Sequence, residues 1–171
     1  MPGPLTHAPD FDKPVDLDGH LAALPSTAAA RGFYFTELLK ELEAKVPGVD
    51  AFAELGIEKP RYRAFKEYSY ADFLRLNVFA AEHIYPSVPT GEGLRRLGQG
   101  AYNAFVSTQI GRVLLGAVGN NFTRIAKLGC RAYSTSLNFG KVEWTQLGDK
   151  EGFYSFTDIP SFIGTYQVGI D

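Results

Sequence analysis

The chain carries a single cysteine in 171 residues. An internal disulfide and a Cys-rich zinc site are therefore excluded, and a lone thiol suits a reducing compartment. A dominant charge is missing too. Lys and Arg number 17 against 19 Asp and Glu, a net charge of −2, so no global field attracts nucleic acid and no nucleic-acid partner is expected. No apolar run is long enough to cross a bilayer, so no membrane span is expected. Met1–His7 has neither the basic start nor the apolar centre of a secretory signal, and a cytoplasmic protein is expected. Histidine is scarce: His7, His20 and His83 lie in unrelated segments without a His-x-x-x-His pair, so neither a metal nor a cofactor is expected. Gly91, Gly93, Gly98 and Gly100 lack the Gly-Lys-Ser/Thr of a phosphate loop. No Gly-x-Ser-x-Gly elbow and no carboxylate pair stands out. An enzyme is not expected.

Hydrophobic residues make up 45% of the chain, with Phe 13 and Tyr 9, enough for one domain with a real core. Residues 1–14 hold four prolines (Pro2, Pro4, Pro9, Pro14) and read as an extended or disordered arm. Residues 15–171 read as one domain. Val15–Leu24 reads as a short strand or a packed arm. Phe35, Leu38, Leu39, Leu42 and Val46 recur at three and four residues, predicting a helix over 32–46 stopped by Pro47-Gly48. Asp50 can cap a short helix, Ala51–Leu55, ended by Gly56. Arg61–Tyr68 reads as extended. Ser69 with Asp72 marks the start of a helix over 70–84 that is apolar on two sides, the pattern of a sandwiched helix. Thr90 and Glu92 open another helix, which runs on to Gly119 through Phe105, Val106, Ile110, Val113 and Leu114. Phe122–Leu128 reads as a short helix. Arg131–Leu137, Phe139–Leu147 and Gly152–Thr157 read as strands, with Gly148–Glu151 turning a hairpin. The class is α+β, with N-terminal helices packed on a C-terminal antiparallel sheet.

Leu21–Ser26, Gly32-Phe-Tyr-Phe, Tyr68-Ser-Tyr-Ala-Asp-Phe-Leu-Arg-Leu, His83-Ile-Tyr-Pro, Gly93-Leu-Arg-Arg-Leu-Gly and Phe105-Val-Ser-Thr-Gln-Ile-Gly-Arg, in that order, resemble an uncharacterised paralogous family known mainly from myxobacteria. The resemblance spans about residues 15–165. It implies a last helix beginning near Ser161 and a further strand, both expected to be incomplete here, either because this is a shortened member or because the alignment slips there. More distantly, the layout resembles the haem-nitric-oxide-binding and four-vinyl-reductase sensory domains, an analogy of fold alone. The haem clamp would fall at Tyr133-Ser-Thr-Ser-Leu137, which lacks the required Ser and Arg, and Asn103 stands where the proximal histidine would. The resemblance thus implies a haem-free, colourless protein.

Arg112 lies in an apolar helical run. It is expected to be buried, either salt-bridged to Asp72 or Glu82 or binding an anion at the head of a cavity. His83 sits at a helix C-terminus, as a cap or as a polar group lining a pocket. Cys130 is a small buried hydrophobe, a thiol activated by Arg131, or a lipid-modified cysteine. Arg95 and Arg96 read as a solvated face. The aromatic–basic alternation of Arg61–Lys66 reads as an exposed strand or loop rather than a stacking platform. Together these give a non-enzymatic ligand-binding or sensory domain. Its apolar cavity between helices and sheet would be lined by Arg112, His83, Tyr102, Phe105 and Tyr133, taking a small apolar or amphipathic ligand. The alternative is an interaction module, a homodimer or a domain docking a protein partner, that uses the Phe139–Thr157 hairpin.

Overall fold

The structure, a computed structural model, describes residues 11–107 (backbone alone for 101–107), 112, 113, 116, 119 and 121–159. The described elements run α1 (Leu17–Ala23), β1 (Ala29–Arg31), α2 (Gly32–Lys45), α3 (Ala51–Leu55), β2 (Glu67–Ser69), α4 (Tyr70–Ile84), α5 (Thr90–Ser107), α6 (Phe122–Ser136), β3 (Lys141–Gly148) and β4 (Glu151–Thr157). The class is α+β: helices with two small antiparallel sheets, β1–β2 and β3–β4.

α4 is the axis of the core. Its two apolar stripes bury Tyr70, Phe73, Leu74, Leu76, Val78, Phe79, Ala80 and Ala81, and it packs against α1, α2, α3 and α5. The Ser69 hydroxyl accepts from the Asp72 N–H at its start. α2 brings Phe35, Leu38 and Leu42 to the same core. Leu94 and Leu97 arrive from α5, whose Gly93 seats against Ala81. The Asp50 carboxylate accepts from the Phe52 and Ala53 N–H groups, and Gly56 ends α3 at φ +63°.

Two expectations fail. Val15–Leu24 is neither strand nor arm but the helix α1, because the Asp16 carboxylate accepts the Gly19 N–H and caps it. Arg131–Leu137 is not a strand. α6 continues to Ser136 because the hydroxyls of Ser134, Thr135 and Ser136 bond back to the carbonyls of Arg131 and Ala132, so residues that favour strands satisfy themselves on a helix. The C-terminal sheet is consequently a two-stranded hairpin lying on α6. Within the span expected to be an arm, the Phe11 ring lies under the Arg95 guanidinium. The expected helix from Ser161 lies outside the described residues.

Candidate functional site

The helical core and the α6–hairpin layer meet along a polar seam, built from three chain corners. β1 runs straight into α2, which sets Arg31 and Tyr34 one helical turn apart. α4 begins at Tyr70, and α6 ends at Ser136 before the chain crosses to β3. At the crossing, Leu137 forms an isolated bridge with Ala30. The Asn138 side chain accepts the Ala29 N–H at 2.8 Å and donates to the Thr27 carbonyl at 2.7 Å. Arg31 donates to the carbonyl of Thr135 at 3.1 Å and that of Phe65 at 2.7 Å, and pairs with Glu67 at 3.3 Å. A cation beside the last carbonyls of α6 is favoured by the helix dipole.

Behind this rim lie phenols. Tyr34 hydrogen-bonds Ser136, and burial still raises its pKa. Tyr70 is buried against Phe139, ring centroids 4.7 Å apart, and burial raises its pKa too, with Tyr133 adding to the effect. Tyr133 is half-buried and pushed up to about 12, by burial first and then by Tyr34. All three remain protonated at neutral pH, so they act as hydrogen-bonding groups, not as bases. Gly140, at φ +73°, is required here: a Cβ would stand 2.9 Å from the Tyr133 hydroxyl.

Beyond the seam, the hairpin pairs Val142 with Phe156 and Trp144 with Tyr154. This is the face expected from the strand pattern. Trp144 meets Phe122, Tyr133 meets Phe156, and the Tyr154 hydroxyl donates to the Ala126 carbonyl at 3.0 Å. α6 lies along β3, and β4 is left partly uncovered. Phe153 remains 47% exposed, Tyr154 39% and Phe156 42%.

Of the residues expected to line a cavity, His83 and Tyr133 lie apart and Arg112 is exposed. His83 stacks on Phe79 at 3.8 Å, its Nδ1 is 2.9 Å from the Phe79 carbonyl, and its Nε2 is 3.9 Å from Glu54 on α3. Tyr133 is near enough to Tyr70, at the opposite end of α4, to raise its pKa, so about 20 Å of helix separates it from His83. Arg112 is solvent-exposed, not buried. Val113 beside it is also 65% exposed, so an apolar neighbour in the chain does not place Arg112 in the core. Tyr102 and Phe105 belong to α5, and their side chains lie outside the described residues. Glu92 holds both Arg95 and Arg96, at 2.7 and 2.8 Å, leaving Arg95 half-buried and only Arg96 on the solvated face. Burial pushes the Cys130 thiol up, the opposite of activation by Arg131. Among the described residues no group of three or more His, Cys, Asp or Glu could hold a metal, and no helix is long and apolar enough to cross a membrane. An open groove, lined in part by Leu39, Leu42, Phe52 and Tyr62, lies between α2 and α3, away from the hairpin.

Residues 24–163, from before β1 to beyond β4, match the family described as protein of unknown function, DUF2378. The chain belongs to that family. A comparison with curated proteins finds no match. In this DUF2378 chain the matched span holds the whole seam, including Arg31, Tyr34, Ser136 and Asn138, which sequence reasoning passed over. Two signals were available. Arg31 interrupts the small run Ala28–Ala30 just before a helix, and Asn138 stands between two segments rich in strand-forming residues. Neither reveals its partners, which lie about a hundred residues away along the chain.

Proposed function

We propose that this DUF2378 domain is a non-enzymatic interaction module that pairs with a second copy of itself through the hairpin. The observation that carries this reading is the partly uncovered aromatic strand β4, with Phe153, Tyr154 and Phe156 each about two-fifths or more exposed. Phe153, paired with Thr145, opens on the outer face of the hairpin, while Tyr154 and Phe156 are the partly uncovered margin of the face that lies on α6. The outward residues of β3 and β4, among them Lys141, Glu143, Thr145, Ser155 and Thr157, include few charges of one sign to oppose edge-to-edge pairing.

Sedimentation equilibrium at micromolar concentration tests this. The wild type should exceed 18.8 kDa in apparent mass, and Phe153→Ser with Phe156→Ser should return it to that value. A wild-type monomer throughout would overturn the reading. A second reading, a small amphipathic ligand held in the seam, is favoured by the phenols of Tyr34, Tyr70 and Tyr133. Native mass spectrometry of the purified protein would reveal such a ligand as added mass. The lone, shielded Cys130 fits a cytoplasmic setting for either reading.

A further inference from the structure

The segment before β2 presents a basic knob with an apolar tip. Lys59, Arg61, Arg63 and Lys66 fall within eight residues and are all exposed. Among the described residues none of the four is ion-paired. Phe65 stands at the turn between Arg63 and Lys66 with 68% of its surface open to solvent, the most exposed of the large apolar residues described. The expected alternation is visible only in part, because Tyr62 turns inward and stacks on Phe35 at 4.5 Å.

The backbone of this segment is held firmly. Arg63 N–H donates to the Tyr68 hydroxyl, which donates to the Arg61 carbonyl. Lys66 N–H closes the turn on the Arg63 carbonyl at 3.1 Å. Gly32 and Phe33, opening α2, donate to the carbonyls of Lys66 and Ala64, and Arg31 donates to that of Phe65. Gly32 has no room for a side chain, since a Cβ would stand 2.4 Å from the Arg63 carbonyl. With its carbonyls occupied in this way, the turn holds Phe65 outward with little ordering left to lose on binding.

We infer that this knob docks the chain on a bilayer surface carrying anionic lipid. Phe65 enters the interface, and Lys59, Arg61, Arg63 and Lys66 sit among the headgroups. A lone apolar tip with four exposed cations close in the chain, and Glu67 drawn to Arg31, suits a flat, yielding, anionic surface. A single nucleic-acid strand needs a groove with several open rings, and here Tyr62 is stacked beneath and Tyr68 is half-buried. The chain's net charge of −2 does not oppose this, because headgroup attraction acts within a Debye length of about 8–10 Å.

The test is co-sedimentation of the full chain with phosphatidylcholine vesicles made with and without phosphatidylserine. Binding should require phosphatidylserine and weaken with salt. It should fall about fivefold for each charge removed in Arg61→Gln and Arg63→Gln, and fall again in Phe65→Ser. All three side chains are exposed, so the variants should keep the wild-type circular dichroism. Equal binding to both vesicles, no binding to either, variants that bind as wild type does, or capture of a single-stranded oligonucleotide in place of vesicles would each overturn the inference.

Discussion

Asn138 behaves toward Ala29 as a strand neighbour would. Its backbone N–H donates to the Ala29 carbonyl at 3.3 Å, and its side-chain oxygen accepts the Ala29 N–H at 2.8 Å. One residue thus serves both backbone groups of Ala29 and extends the β1–β2 ribbon by the bridge at Leu137. It is the main polar tie between the helical core and the α6–hairpin layer.

Asn138→Ala should therefore cost about 1–2 kcal/mol, because it leaves the Ala29 N–H and the Thr27 carbonyl to water or to nothing. Urea denaturation would show a lower midpoint at an unchanged slope. Asn138→Asp should fall between the two, keeping an acceptor for Ala29 while facing the Thr27 carbonyl with a second acceptor. Indistinguishable midpoints for all three chains would remove this side chain from the account of how the layers are joined.

Gly140→Ala should destabilise by about 1–3 kcal/mol, since a left-handed backbone and a close oxygen act together. At about 2–4 °C per kcal/mol for a chain of this size, thermal melting should fall by roughly 3–8 °C. The Tyr133 hydroxyl stands 2.9 Å from the new Cβ, so the cost should shrink in a Tyr133→Phe background. Equal cost in both backgrounds would mean that the backbone angle alone matters.

Glu92 accepts from both Arg95 and Arg96, which hold its carboxyl down to about 2 from 4.5. A depressed folded value contributes stability that is fully present above the unfolded value and is lost as pH falls through the folded one. Melting temperatures of wild type and Glu92→Gln should differ at neutral pH and converge as pH falls from 4.5 toward 2. A constant gap across that window would refute the assignment.

Much of the helical core was legible because its signals are local. The Asp50 and Ser69 caps, the Gly56 stop and the apolar stripes of α2 and α4 each act within a few residues, and the structure has them where the pattern put them. The hairpin was legible for the same reason, since alternation and a Gly-Asp-Lys-Glu turn specify its register. The candidate site was hardly legible at all. His83 and Tyr133 were grouped by residue type, yet α4 holds them apart. Arg112 was placed inside from its neighbours' hydrophobicity, although such neighbours can themselves be exposed.

The sequence by itself determined an α+β chain with a sandwiched central helix and a terminal hairpin. These follow from periodicity, capping and composition, which need no knowledge of distant partners. Only the tertiary structure decided that Arg131–Ser136 is helical, that Arg31, Tyr34, Ser136 and Asn138 form one seam, and that Phe65 faces outward while Tyr62 faces in. Those outcomes depend on which carbonyl, ring or hydroxyl arrives from elsewhere in the chain. Where local preferences are nearly balanced, a single hydrogen bond or buried ring is enough to choose between them.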